Sequence, residues 1–373
     1  MKIVSIRGNL YDGCESDSKK LAIEMGKEYL IQDGFYRNLV DLNAPIIKHI
    51  PFIEGGNYRK YKGQSLDGKS LLLIRQGGHG DLLFLTPIIR VLKKQYPACK
   101  IGVTCGLHYF VVWKNNSYVD EKIYTPIEYA DVERYDYCMH FENSIEASTN
   151  PDLHAIDLFA SWMNIEIEDY RLDFVLSEGM EEKGGRFLEK ANRENKKTVM
   201  IQASASAFIR TYPPDLLREL ITRLIDLNYY VLVAGGDGDY PGKATIHGSY
   251  NLCDFPRNLK NKKLHTLEMN LAIMKNCNLL IAPDSAFTHY AAALEVPTIA
   301  LYGPFPGKIR TIHYPLCKTL EPPSDACNLM PCMIHSAEPC PKAKMLNQKY
   351  PPCFYQLKVS EIIEQVKIVI NKP

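Results

Sequence analysis

Short apolar runs alternating with amphipathic helices constrain this chain more than any other feature. In the second half the runs are "TVMIQAS" (198–204), "YYVLVAGG" (229–236), "NLLIAPDS" (278–285) and "TIALYG" (298–303). In the first half they are "LLLI" (71–74), "CKIGVTC" (99–105), "EKIYTP" (121–126) and "DYCMHF" (136–141). Strands apolar on both alternating faces must be covered on both sides, which implies parallel sheets between helices. Helical stretches such as "LLFLTPIIRVLKKQY", "HAIDLFASWMNI" and "FTHYAAALEV" separate them. In "PDLLRELITRLIDLN", Leu217, Leu220, Leu224 and Leu227 share one face behind a proline in the first turn. The pattern predicts an α/β protein of two doubly wound, Rossmann-like domains facing a cleft. In such sheets ligands bind beyond the C-terminal strand ends.

Residues 1–67 predict a small β-rich extension. "KEYLIQDGFYRNLV" carries Asp33-Gly34 and "YRKYKGQSLDGKSLLLI" carries Asp67-Gly68, both two-residue signals for tight hairpins. The last strand of this region is expected beside the main sheet. A first domain follows over 68–180, then a linker over 181–197 that is dense in charge and interrupted by Gly184-Gly185. The second domain spans 198–316, and a Cys-rich segment with a closing helix spans 317–373. With 373 residues there is length for two cores. Lys plus Arg number 44 against 43 Asp plus Glu, with no dense basic stripe, so nucleic acid is not an expected partner. The start lacks the apolar core of a signal peptide, and no run approaches the roughly 18 apolar residues of a membrane span. A cytoplasmic location follows, with partners at the inner-membrane surface left open.

The loop "RQGGHGD" (75–81) ends the first buried strand. A dinucleotide fingerprint taken from Gly78 and Gly80 puts Leu83 at the third glycine position and Asp81 against the pyrophosphate, so that reading fails. No Gly-Lys-Ser/Thr follows, so it is not a Walker loop either. Asp81 can cap the helix from Leu82, or it can take a proton from a hydroxyl, held ionised by the helix dipole. The two roles are compatible.

In the second half "IAPDSAFTHYAAALEVPTIALYGPFP" (281–306) ends a strand at Pro283. Asp284 and Ser285 can cap a helix starting near Ala286, whose backbone N–H groups offer an anion site. Ser285, Thr288 and His289 add side-chain donors. A capped helix with a satisfied histidine is the simpler reading; a diphosphate site is its rival. Arg210, after "TVMIQAS", can pair with phosphate oxygens. Asp237 or Asp239, after "YYVLVAGG", can accept from ribose hydroxyls.

Of eleven cysteines, five (Cys317, Cys327, Cys332, Cys340, Cys353) crowd near the end. Four of them are spaced C-x4-C-x7-C-x12-C in a proline-rich stretch. Where disulfides are disfavoured, Cys327, Cys332, Cys340 and Cys353 are candidates for a structural zinc or iron site, with free thiols as the alternative.

"IRQGGHGDLLFLTPIIRVLKKQYP" and "APDSAFTHYAAALEVPTIALYGPFP" resemble the two signature regions of the family 9 glycosyltransferases, the bacterial heptosyltransferase family. The likeness spans roughly residues 68 to 370. It implies a GT-B fold with an N-terminal acceptor domain and a C-terminal nucleotide-sugar domain. It also implies inverting transfer without a catalytic metal, with ADP-heptose as the leading donor. Asp81 matches the family's general base, on a loop with Gly78, His79 and Gly80. Arg210 matches a basic residue on the donor phosphates and Asp239 a glutamate near the ribose. Asp284, Ser285, Ala286, Phe287 and His289 match the diphosphate loop. Ala286 replaces the usual glycine, and the extension has no counterpart in the simple lipopolysaccharide enzymes. Relatives that modify proteins carry iron on four cysteines near their C-terminus. The implied acceptor is a hydroxyl of a bacterial glycan such as lipopolysaccharide core. Alternatives are a lipid-linked glycan, a protein serine or threonine, or a sugar-nucleotide-binding module without catalysis.

Overall fold

The computed structural model describes residues 1–6, 10–11, 22–24, 27–31, 37, 46–52, 58–141, 144–145, 152–236, 238–242, 244–253, 267–334 and 338–371. The chain divides into two compact units. One holds Met1–Ala147 with Ala155–Asp169, the other Ser148–His154 with Tyr170–Pro373.

The first unit begins with β1 (Lys2–Ile6), β2 (Leu10–Tyr11), β3 (Ala22–Ile23), β4 (Tyr29–Ile31) and β5 (Ile46–Pro51). It continues with β6 (Ser70–Ile74), α1 (His79–Phe84), α2 (Thr86–Gln95), β7 (Lys100–Cys105), α3 (Phe110–Trp113) and β8 (Glu121–Tyr124). Then come β9 (Ile127–Glu128), α4 (Tyr129–Glu133), β10 (Tyr137–His140) and α5 (Ala155–Met163). A parallel sheet of order β10-β6-β7-β8 forms its centre. Leu71 to Ile74 of β6 are wholly buried, as a strand covered on both faces requires. Helix α5 packs on α1 and α2.

Residues 1–67 do not stand apart. Strands β1, β4 and β5 make an antiparallel sheet of order β5-β1-β4-β9, whose fourth strand comes from the α/β portion. Ile3 and Leu30 of that sheet share one core with Leu72, Ile74, Ile127 and Cys138. The Asp33-Gly34 hairpin lies outside the described residues. The turn at Asp67-Gly68 forms, with Gly68 at φ +63° and Lys69 N donating to the Leu66 carbonyl at 3.0 Å. It joins no hairpin, however. Residues 59–61 bond to Cys138 along the outer edge of β10, while β6 takes the inner side. The chain on both sides of the turn therefore runs parallel to β10.

The second unit holds α6 (Met180–Ala191), β11 (Thr198–Gln202), α7 (Pro214–Asp226), β12 (Tyr230–Ala234), β13 (Ser249–Asn251) and α8 (Leu267–Lys275). It closes with β14 (Leu279–Pro283), α9 (Ala286–Ala293), β15 (Thr298–Leu301), α10 (Gly307–Arg310), β16 (Cys317–Leu320), α11 (Pro341–Met345) and α12 (Val359–Ile370). Its six strands are parallel in the order β13-β12-β11-β14-β15-β16. The order reverses between β11 and β14, the arrangement of dinucleotide-binding folds. On α7 the buried face is Leu217, Leu220, Ile221 and Leu224. Leu227, expected on it, follows the last helical residue and is exposed, because the helix has already ended.

The expected linker 181–197 is mostly helix. Helix α6 runs through Gly184-Gly185 and packs on α8 inside the second unit. Its charged residues face solvent, while Gly184 and Leu188 are buried. Gly184 permits the close approach: a Cβ there would lie 2.3 Å from the Ala272 carbonyl oxygen, a backbone atom that cannot turn aside. Gly184→Ala should therefore force α6 off α8 and cost about 1–3 kcal/mol by overpacking. A lowered urea midpoint is the readout, and a wild-type midpoint would show the helices are not so closely seated.

Candidate active site

In the first unit the sheet order reverses between β6 and β10, so the loops after those strands diverge and leave a crevice at their C-terminal ends. Arg75, the first residue past β6, fills it. Its guanidinium donates from Nε to the Gly77 carbonyl at 3.2 Å, from Nη1 to the Phe141 carbonyl at 2.9 Å, and from Nη2 to Asp81 Oδ2. The side chain of Arg75 is only 6% exposed, against 23% for Asp81. A buried guanidinium without a carboxylate would be costly, so each charge stabilises the other.

Asp81 is not the helix cap. Helix α1 starts three residues earlier than expected, at His79, with Gly78 in the capping position and no side-chain cap. The carboxylate turns back to Arg75 instead. Gly78 has φ +81°, a left-handed conformation, and a Cβ on it would lie 2.2 Å from Asp81 Oδ2. Only glycine suits that position on both counts. His79 stands edge-on to Tyr109 with ring centroids 4.8 Å apart. Burial, reinforced by His108, pushes its pKa down to about 4, so it is neutral near pH 7. Gly80 lies in the first turn of α1 and is half-buried.

In the second unit the reversal lies between β11 and β14, and the loops after those strands carry Arg210 and Asp284-Ser285. Arg210 Nη2 donates to Ser206 Oγ at 2.5 Å and Nη1 to the Asp284 carbonyl at 3.3 Å. The Asp284 carboxylate lies 3.8 Å from the same guanidinium. Helix α9 begins at Ala286 with Ser285 in the capping position, yet neither Asp284 nor Ser285 caps it through a side chain. The Ser285 hydroxyl is buried and has no hydrogen-bond partner among the described residues. Beside the open N–H groups of a helix start, such a hydroxyl suits an anionic ligand.

The other expected donors are engaged within the protein. Thr288 Oγ1 donates to the Pro283 carbonyl at 3.2 Å, securing the strand end to α9. His289 is buried, and burial with the Arg310 and Arg210 charges pushes its pKa down to about 3. Burial likewise raises the Tyr314 phenol well above its usual value. Tyr314 thus keeps its proton, and its phenol shares a 2.7 Å hydrogen bond with His289 Nδ1. Phe287 is buried behind the helix start. Asp239 Oδ2 accepts from Ser204 Oγ at 2.5 Å and from Gly236 N at 2.6 Å, which closes the Gly235-Gly236 turn. Asp237 lies outside the described residues.

Cys327, Cys332, Cys340 and Cys353 line one cavity of about 20 Å³ with Ile209 and Pro304. All four are free thiols. Burial, and then the neighbouring Cys327, Cys340 and Cys332, push Cys353 up to about 12. Cys340 caps α11, its sulfur accepting from Ala343 N at 3.4 Å. Four soft donors around one small space are candidates for a metal ion, although no three of their sulfurs lie within 4.8 Å of one another. Cys317 belongs to β16 and is not part of this cavity.

Two residues absent from the sequence-based expectations stand out, Arg75 and Tyr314. An arginine directly after four buried apolar residues was a readable sign of a buried charge in need of a partner. Nothing local marked Tyr314, which is 25 residues from His289.

Comparison with known proteins places this geometry. The description "Glycosyltransferase family 9 (heptosyltransferase)" matches residues 141–319, a span that begins after Asp81. No curated protein matches the chain. Among solved structures, a family 9 glycosyl transferase from Veillonella parvula is similar at TM-score 0.60 and 16% identity, over 83% of this chain and 99% of that one. The E. coli ADP-heptose lipopolysaccharide heptosyltransferase II gives 0.58 and 15%, over 81% and 98%. The iron-containing dodecameric glycosyltransferase TibC of enterotoxigenic E. coli gives 0.58 and 13%, over 99% and 93%. These structures have the GT-B fold, which this chain shares in two α/β units each built on a parallel sheet, with a strand-rich N-terminus within the first. Residues 141–319, just under half of the chain, match the glycosyltransferase family 9 (heptosyltransferase) description, and the solved structures of similar fold include glycosyltransferases of that family, which marks this protein as a glycosyltransferase.

Proposed function

We propose that the protein moves heptose from ADP-heptose to a hydroxyl of a bacterial glycan such as lipopolysaccharide core, with inversion at the anomeric carbon. The observation that carries this reading is the unlike chemistry of the two strand-order reversals. One offers a carboxylate, and the other offers an arginine, a free helix start and an unpartnered hydroxyl.

In this reading Arg210, Ser285 and the N–H groups from Ala286 hold the diphosphate, and Asp239 borders the ribose. The acceptor oxygen attacks the anomeric carbon from the face opposite the phosphate. The bond to the β-phosphate oxygen breaks, and its electron pair leaves with ADP. Asp81 takes the hydroxyl proton. The proton becomes acidic once its oxygen is bonding to carbon, so late transfer to the carboxylate suffices. Arg75 is then a positioning residue. Arg210 and the start of α9 stabilise the charge that develops on the leaving phosphate, the role a catalytic metal has elsewhere. Neutral His289 adds no charge of its own.

A protein serine or threonine is the second acceptor reading. It is favoured by the likeness to TibC, which extends over 99% of this chain and so over both the N-terminal strands and the Cys-rich segment. That protein is described as iron-containing, and iron is accordingly the leading ion for the four-cysteine cavity here, with zinc the alternative. The ion would hold the proline-rich segment in shape. Among the described residues no helix is long and apolar enough to cross a membrane, consistent with a cytoplasmic enzyme working at the inner-membrane surface.

Three outcomes follow. In a thermal-shift screen of ADP-, GDP-, UDP- and dTDP-sugars, ADP-heptose should stabilise selectively, by about 2.7 kcal/mol at a hundredfold excess over Kd. Asp81→Asn should lose about 100-fold or more of transfer and keep ADP affinity within about twofold, as removal of a base implies; retained turnover would take Asp81 out of the mechanism. Purified protein should carry about one iron or zinc per chain, which elemental analysis can count.

His289 supplies a fourth. Its pKa in the fold, about 3, lies below its ordinary 6.5. The unfolded chain therefore takes up the proton first, and stability is lost as pH falls from 6.5 toward 3. Between pH 7 and pH 5 that amounts to about 2 kcal/mol. Ligand-free His289→Gln should show a flatter pH dependence of stability than wild type by that amount; equal slopes would mean the histidine is not buried neutral.

A further inference from the structure

Strands β12, β11, β14 and β15 lie side by side in that order and all point the same way, so the groups carried past their ends follow the same order. Asp239 follows β12, Arg210 follows β11, Ser285 follows β14, and Arg310, the last residue of α10, follows β15. Neighbouring strands are about 4.8 Å apart, so the row spans roughly 14 Å, long enough for a nucleoside diphosphate. With the ribose beside Asp239 and the diphosphate beside Arg210 and Ser285, the next step, onto β15, leads away from the nucleoside. It leads toward the phosphate that carries the sugar.

Arg310 stands on a well-anchored element. Gly307 N donates to Glu321 Oε1 at 2.6 Å, and Thr311 Oγ1 donates to the Gly307 carbonyl at 2.9 Å while lying 2.6 Å from Thr319 Oγ1, which ties α10 to β16. A Cβ on Gly307 would lie 2.6 Å from the Tyr302 ring, so the helix rests directly on that residue. The Arg310 guanidinium lies over the Phe305 ring, 4.9 Å from its centre. It forms no ion pair among the described residues. Arg210, by contrast, has the Asp284 carboxylate at 3.8 Å, which offsets part of its charge. Both arginines act on the buried His289, so both lie near the first turns of α9. The Tyr302 hydroxyl is wholly buried, feels the charges of Asp284 and Arg310, and like that of Ser285 has no hydrogen-bond partner among the described residues.

A diphosphate brings more negative charge than Arg210, already beside Asp284, can balance. An arginine without a carboxylate, fixed by its helix and resting on an aromatic ring, is suited to pair with phosphate oxygens through its forked donors. We propose that Arg310 is a second donor-binding residue, contacting the phosphate next to the sugar, and that it makes the site prefer a diphosphate to a monophosphate. The bond to the sugar breaks at an oxygen of that phosphate, so the guanidinium meets negative charge where it develops. Because α10 is already tied to β16, little ordering of the backbone is needed to present it. This rests on the donor reading above and adds to it the residue that recognises the second phosphate.

Calorimetric titration of the full chain with ADP and with AMP tests it. Wild type should bind ADP more tightly than AMP. Arg310→Met should raise the Kd for ADP by about tenfold or more, the size of one charged hydrogen bond, and leave the Kd for AMP within about twofold. Most of the preference for ADP is then gone. Arg310→Gln, which keeps a polar end without the charge, is read in the same way should the methionine variant fail to fold. An unchanged Kd for ADP overturns the proposal. So does an equal loss for both nucleotides, which would place the arginine's effect on the part they share, and so does a wild type that binds the two alike. Wild type that binds neither nucleotide sinks the donor reading itself, whereas a preference for ADP that survives in the variants sinks only the role of Arg310.

Discussion

Parallel strands must all end on the same side, and wherever their order reverses the loops that follow part from one another. This constraint generates both candidate sites of the protein. In the first unit the reversal between β6 and β10 is bridged by Arg75, which ties the end of one strand to the Phe141 carbonyl past the other and to Asp81 on α1. In the second, the reversal between β11 and β14 sets Arg210 against Asp284 at the start of α9. The same topological opening is thus furnished with opposite chemistry. A carboxylate faces outward in one, while in the other an arginine joins unspent backbone donors.

Burial then decides which groups carry charge. Arg75 is nearly inaccessible, so the charge on Asp81 is an electrostatic requirement of the fold as well as a chemical resource. Around the second reversal, burial acts the other way on His289, which stays neutral and is hydrogen-bonded to Tyr314. The cations near the proposed phosphate site are accordingly arginines, which remain charged whatever their surroundings. The four cysteines follow the same logic. Burial and the neighbouring thiols hold the Cys353 thiol protonated, and a bound cation is what would let the four ionise together.

Much of the fold was legible in the sequence because strands buried on both faces and one-sided helices leave strong periodic patterns. Each apolar run that predicted a parallel strand, from "LLLI" to "TIALYG", holds one. The failures came where local chemistry competes with packing. Charge and a Gly-Gly pair in 181–197 suggested a linker, but those glycines are what let α6 approach α8. Asp67-Gly68 does turn the chain, yet pairing along β10 dictates parallel neighbours on both sides. At the sites, residue types were easier to foresee than their partners. Asp81 was visible as a carboxylate at a helix start; that a buried guanidinium six residues earlier would claim it required knowing where Phe141 ends. Thr288 and His289 were foreseeable as polar groups, but their partners, a strand-end carbonyl and a tyrosine far along the chain, were not. The four cysteines could be grouped by spacing, whereas the sharing of their cavity with Ile209 could not.

The division of labour between the two reversals is most directly tested by measuring donor Kd and transfer kcat side by side for Arg75→Met and Arg210→Met. The expected result is a split. Arg75→Met should lose kcat by about 100-fold, as misplacement of a general base implies, with donor Kd near wild type, while Arg210→Met should lose donor affinity first. If both variants lose the same quantity, or if Arg75→Met turns over at the wild-type rate, the two arginines do not serve separate halves of the reaction and the account fails.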